Sequence, residues 1–156
     1  MIAAIDPGLR GAFAVLDNDG RLVSVTDLPV VDGQVNAALF ADLVLAQRLD
    51  VCVLELVSTR PGLSAQSVLK TGRGYGVLEG VLAALSVRTE ATTATKWKKD
   101  MALNNDKAVS RRRAIERWPE HSHLFARVKD DGRAEAALLA RRPRLLVAVT
   151  PFPSST

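Results

Sequence analysis

The chain has 156 residues, 47% of them apolar and 24% charged, which is about one domain's worth, leaves little room for a second core and is the composition of a globular rather than a disordered chain. Its single cysteine, Cys52, excludes an internal disulfide framework and a cysteine-rich zinc site, and a cytoplasmic, reducing compartment is expected. No apolar run approaches the roughly 20 residues of a membrane span, the opening Met1–Asp6 reads as neither a signal nor a transit peptide, and the net charge of +4 is mildly basic.

In chain order, Ile2 to Ile5 is a short apolar run that ends at Asp6. Gly11 to Leu16 is a second such run. Asp17-Asn18-Asp19-Gly20 reads as a hairpin turn, and Arg21 to Leu28 then alternates, so the first three strands form an antiparallel meander. Gln34 to Arg48 has helical spacing at Val35, Ala38, Leu39, Leu43 and Ala46. Val51 to Leu54 is a continuous apolar run closing on Glu55, the pattern of a buried central strand.

A turn-rich stretch follows from Ser58 through Thr59, Arg60 and Pro61 to Gly62. Ser64 to about Leu85 reads as helix interrupted by Gly72-Arg73-Gly74-Tyr75-Gly76, and Val87 to Ala91 as a fifth strand. Asp106 caps a helix from Lys107 to Trp118, stopped by Pro119. Asp130 or Asp131 opens a last helix to about Arg141, stopped by Pro143. There is no repeat and no linker. The expected organisation is a single α/β domain over residues 1–143, with residues 144–156 as a frayed tail.

Charge is concentrated between Arg88 and Arg117. Nine basic residues there face four acids, a net of +5 that leaves −1 for the rest. A neutral body with a basic strip suits a polyanionic partner, although a solvated helix face has the same composition.

The acids carry the chemistry. Asp6 and Glu55 each end an apolar strand, and neighbouring strands would bring them together at the sheet edge where α/β folds bind ligands. Glu55 closing a buried run is costly without a partner. On the last helix, Asp131 and Glu135 are four residues apart and lie about 40° apart around the axis. Asp130 would be about 140° from Glu135, so Asp131 is preferred and Asp130 held in reserve. Four clustered carboxylates need a compensating cation, and hard oxygen ligands with no Cys or His select Mg²⁺ or Mn²⁺.

These residues, in this order, resemble the RuvC-type Holliday junction resolvases, especially the short phage-type members, within the RNase H-like nucleases. The pieces are Ile5-Asp6-Pro7-Gly8 with Gly11, Leu54-Glu55, and the run from Gly72 to Gly80. Lys96-Trp97-Lys98-Lys99, Asp106-Lys107 and Asp131-Gly132-Arg133-Ala134-Glu135-Ala136 complete the pattern, which covers roughly residues 1 to 141. The resemblance implies an RNase H-like fold: a five-stranded mixed sheet, three strands antiparallel and then two parallel, flanked by helices. It implies a homodimer and Mg²⁺-dependent, paired, symmetric nicking of four-way DNA junctions. Its acidic motif falls on Asp6, Glu55, Asp131 and Glu135, as metal ligands and catalytic groups. The last motif departs from many relatives, which carry two acids three residues apart, sometimes with a nearby His.

Lys107 matches the family's basic position near the scissile phosphate. Lys70, Arg73, Lys96, Lys98, Lys99, Arg111 and Arg112 are the remaining candidates for DNA contact. Trp97 and Trp118 read as core anchors ahead of stacking platforms, Tyr75 as packed, and His121 and His123 as surface residues. Other readings are a nuclease of this fold acting on flaps, forks or RNA, a non-catalytic DNA-binding module, and a sugar-kinase or actin-like ATPase. The last shares the Asp6-Pro-Gly pattern but needs two such domains.

Overall fold

The computed structural model describes residues 1–58 and 62–142. The turn residues Thr59, Arg60 and Pro61, the stop at Pro143 and the tail over 144–156 lie outside the described residues. The strands are β1 (Ile2–Asp6), β2 (Ala12–Leu16), β3 (Leu22–Asp27), β4 (Val30–Val31) and β5 (Gln34–Val35), followed by helix α1 (Ala37–Leu45). Then come β6 (Val51–Glu55), α2 (Ala65–Ala84), β7 (Thr89–Thr92), α3 (Ala94–Asp100), α4 (Lys107–Arg117) and α5 (Asp131–Ala140). Five strands make one mixed sheet in the order β3-β2-β1-β6-β7. β2 runs antiparallel to β1 and β3, while β6 runs parallel to β1 and β7.

Side chains alternate across a strand, and that period divides the core in two. Ile2 and Ala4 of β1, Ala12 and Ala14 of β2, and Val51 and Val53 of β6 face α5, with Trp97, Trp118 and Phe125 completing the cluster. Ala3, Ile5, Phe13, Val15, Cys52 and Leu54 face the other way, under Phe40 and Val44 of α1 and Leu78 and Leu82 of α2. Phe13 and Phe40 meet edge to face, ring centroids 5.8 Å apart, a favoured aromatic geometry. The alanines on the first face leave room for α5, which is buried along almost its whole length. Burial pushes the Cys52 thiol pKa up, and the residue is inert packing.

Four expectations need correction. The predicted helix from Gln34 begins only at Ala37, capped by the Asn36 side chain at 3.0 Å from the Leu39 amide. Gln34 and Val35 instead pair with Val30 and Val31 in a small ribbon, because Asp32 and Gly33 turn the chain through positive φ. α2 is continuous through Gly72, Gly74 and Gly76. Each glycine costs a helix about 1 kcal/mol, but none stops it. The helix ends after Leu85, where Ser86 takes the left-handed conformation at φ 56°. The fifth sheet strand starts at Thr89, not Val87. α3 was not expected at all; Thr93 caps it through the Lys96 amide, and Trp97 anchors it in the core. Among the described residues no helix is long and apolar enough to cross a membrane.

Candidate active site

Asp6 continues the phase of Ile2 and Ala4, and Glu55 that of Val51 and Val53. Both carboxylates therefore fall on the α5 face at the same end of neighbouring parallel strands, where Ile5 pairs with Leu54. Two glycines make the fit. A Cβ on Gly11 would stand 2.0 Å from the Asp6 carbonyl oxygen, so only glycine lets β2 begin so close to the end of β1. A Cβ on Gly132 would stand 2.3 Å from the Arg10 carbonyl oxygen and 3.2 Å from Asp6 Oδ2. The first turn of α5 is thus pressed onto the β1–β2 loop and onto Asp6 itself. Arg133 holds it there, its guanidinium donating two hydrogen bonds to the Asp27 carboxylate at 2.6 and 2.7 Å.

The helix then supplies Asp131 and, one turn later, the buried Glu135. Lys107, at the start of α4, donates to Asp131 Oδ2. Lys98 Nζ donates to Glu135 Oε1 at 2.7 Å, and Ser110 Oγ lies 3.5 Å from the same oxygen. Trp97 Nε1 donates to Glu55 Oε2 at 2.5 Å. Three of the four acids are thereby turned onto internal donors. Among the described residues no three His, Cys, Asp or Glu side chains are gathered into a ready-made metal cage.

One electrostatic field links these groups. Burial first, then the charges of Glu55, Glu135 and Asp131, hold the Asp6 carboxyl pKa well above its ordinary value, with Lys107 acting against them. Burial also raises Glu55, while the Trp97 hydrogen bond, Lys98 and Lys107 oppose the rise. The hydrogen bond to Asp131 holds Lys107 charged beyond its usual range. Asp6 and Glu55, raised by burial and by the neighbouring carboxylate charges, stand with Asp131 and Glu135 as four oxygen donors that fit a hard divalent cation in donor type and charge.

The alternatives on α5 separate cleanly. Asp130 is buried and takes Arg127 in a fork, with contacts of 2.9 to 3.2 Å, and also accepts the Arg127 amide. That grip lowers its pKa and turns it away from the cluster. Asp131 is the residue beside Lys107.

Of the expected DNA contacts, Lys70 and Arg73 stand on the exposed half of α2, and Lys96, Lys99 and Arg112 are exposed. Arg111 is half-buried. Lys98 is not on that surface: it lies beneath it, over the Trp97 ring at 5.5 Å, paired with Glu135. Tyr75 is half-buried, and in the 3-10 turn Pro119–Leu124 His123 is exposed, as expected, while His121 is half-buried. The reading of Trp97 as a core anchor missed its polar duty toward Glu55. Ser110 and the close seat of Gly132 were also missed; the only sequence signal was a Trp-Lys pair on a segment too short to turn both outward.

Three solved structures share this architecture. Thermus thermophilus RuvC in complex with a Holliday junction substrate matches with a TM-score of 0.61 at 14% identity, covering 94% of this chain and 95% of that one. The chain has the RuvC-type, RNase H-like fold. A second Thermus thermophilus RuvC structure gives 0.59 at 15% identity, over 89% and 92% of the two chains. The fowlpox virus resolvase with its Holliday junction DNA gives 0.54 at 11%, over 88% and 96%. No protein-family model matches. A curated Caenorhabditis elegans protein, described as a probable mitochondrial complex I intermediate-associated protein 30, is 28% identical over 80 residues. That stretch is 51% of this chain and only 23% of the worm protein.

Proposed function

We propose that the protein is a Mg²⁺-dependent, structure-selective endonuclease that resolves four-way DNA junctions by paired hydrolysis. The observation that carries the reading is the convergence of Asp6, Glu55, Asp131 and Glu135 with Lys107 at one end of a RuvC-type sheet. Retention of four anions argues against a non-catalytic DNA-binding module, because uncompensated carboxylates repel a polyphosphate. Asp6, Glu55, Asp131 and Glu135 would hold the divalent cations. When bound, such ions orient a nucleophilic water and stabilise the leaving oxygen of a phosphodiester.

The chain's own residues do the rest. Trp97 fixes Glu55, Lys98 fixes Glu135, and the Gly132 contact holds α5 against Asp6. Lys107, exposed on one side and paired with Asp131 on the other, puts a cation where charge develops on the phosphate. Lys96, Lys99, Arg111 and Arg112 supply phosphate contacts along the flanking arms, and Lys70 and Arg73 do the same from α2.

Paired cuts need two sites, so a homodimer belongs to the reading. Support comes from α2, where a Cβ on Gly72, Gly76 or Gly80 would meet nothing within 4 Å and Leu69 is 73% exposed. That face suits close approach by the same helix of a second copy. Incubation with labelled four-way junction, linear duplex, flap, RNA–DNA hybrid and single strand, with and without Mg²⁺, tests the proposal. Metal-dependent cutting confined to the junction is expected; equal cutting of duplex, or cutting of flap or hybrid in preference, overturns it.

A further inference from the structure

On the α2 side of the sheet, next to the acidic end, lies a cavity of about 200 Å³. Leu9, Val35, Gly74 and Tyr75 form its walls, with Lys70 and Thr71 among the lining residues. Gly8, two residues along the chain from Asp6, is also among its lining residues. Leu9 is about half exposed and forms a ridge between this cavity and a second cleft lined by Arg10, Asp27, Lys129 and Asp130. None of these features takes part in the carboxylate chemistry.

We infer that the cavity receives one unstacked nucleobase of the DNA substrate, with Leu9 as the wedge that separates it from its neighbour. Size sets the ligand: the volume is below the roughly 300–1,000 Å³ of a drug-sized site, which restricts the occupant to about one ring system. Shape agrees, because Gly8 and Gly74 contribute no side chain and leave a slot flanked by an aromatic ring. Chemistry agrees too. An apolar wall with the Tyr75 ring stacks any base, the Thr71 hydroxyl can read a base edge, and Lys70 can take the attached phosphate. Exposed apolar wedges that open a base step are an established way for proteins to deform DNA. Residues 8 and 9 continue from the strand that ends in Asp6, so we place the held base on a nucleotide close to the scissile phosphate, on the α2 face of the sheet rather than the α5 face of the carboxylates.

This inference rests on the junction-nuclease reading and is tested separately from it. Four-way junctions carry 5-iodouracil at single positions around the cleavage site. They are bound to the full-length protein in EDTA, irradiated, and the cross-linked peptide is identified by mass spectrometry. One position next to the scissile phosphate is expected to cross-link to Tyr75, and the same sequence as linear duplex is not. Gly74→Leu fills the slot while favouring the helix, and should cut the cross-link at least tenfold. Gly74→Ala, whose Cβ meets Val35 at an ordinary 3.6 Å, should retain it. Leu9→Ala should weaken it several-fold. A junction that binds and is cut but never cross-links to Tyr75, or does so equally in Gly74→Leu, overturns the inference alone. A protein that does not distinguish junction from duplex overturns the parent reading and this inference together.

Discussion

Gly132→Ala is a one-methyl change that should act on catalysis through geometry. The new Cβ would meet the Arg10 carbonyl at 2.3 Å, against about 3.4 Å for ordinary contact, and Asp6 Oδ2 at 3.2 Å. The first obstacle is backbone and cannot rotate aside, so α5 must move out by about 1 Å, carrying Asp131 and Glu135 away from Asp6. A misplacement of 1 Å at a reacting centre costs on the order of 10²-fold in rate. Overpacking of this kind costs about 1–3 kcal/mol of stability, and each kcal/mol lowers Tm by roughly 2–4 °C in a domain of this size. The assay is single-turnover junction cleavage with enzyme in excess, beside a thermal melt that separates a displaced helix from an unfolded domain. A folded Gly132→Ala protein that cleaves at the native rate refutes the argument that this contact sets the site.

Asp6→Asn should abolish cleavage, retain junction binding and, in the metal-free protein near neutral pH, raise Tm. The sign follows from the raised carboxyl: between its unfolded and folded pKa values the folded state binds more protons, so stability falls as pH rises through that window. A calorimetric series in EDTA should show that decline in the native protein and lose it in the variant. Lys107→Ala should lower the saturated cleavage rate by on the order of 10²-fold, whereas Arg112→Ala should weaken affinity and its salt dependence while leaving the saturated rate within a few-fold. Single-turnover rates at several salt concentrations distinguish the two. A Cβ on Gly76 would meet nothing within 4 Å among the described residues, so Gly76→Leu should leave the fold intact but break the dimer; sedimentation showing an unchanged dimer would remove α2 from the interface.

The parts of the fold that follow from strict periodicity were legible. Apolar runs closing on Asp6 and Glu55 put both carboxylates at strand ends, to meet at the sheet edge if the strands are neighbours, and the 3.6-residue turn favoured Asp131 over Asp130. The meander and the capped helix at Asp106 follow from turn and cap chemistry. What was not legible depends on contacts between distant segments. Lys98 sits in a basic strip whose charge suggested solvent, yet Trp97 must enter the core and carries its neighbour inward to Glu135. The glycines of α2 suggested a break because propensity is local, whereas Ser64, Leu78 and Leu82 fix the helix from outside that stretch. Gly132 read as one more helical residue, since only the packed loop at Arg10 gives its missing side chain a purpose.

Strand-resolved mapping of cuts on one labelled four-way junction, in Mg²⁺ and with Asp6→Asn as the control, tests the central claim most directly. The account predicts two nicks at symmetry-related positions in opposite strands, made within the lifetime of one complex, and none with Asp6→Asn. Unpaired nicks at unrelated positions, or cutting that persists in Asp6→Asn, would contradict it.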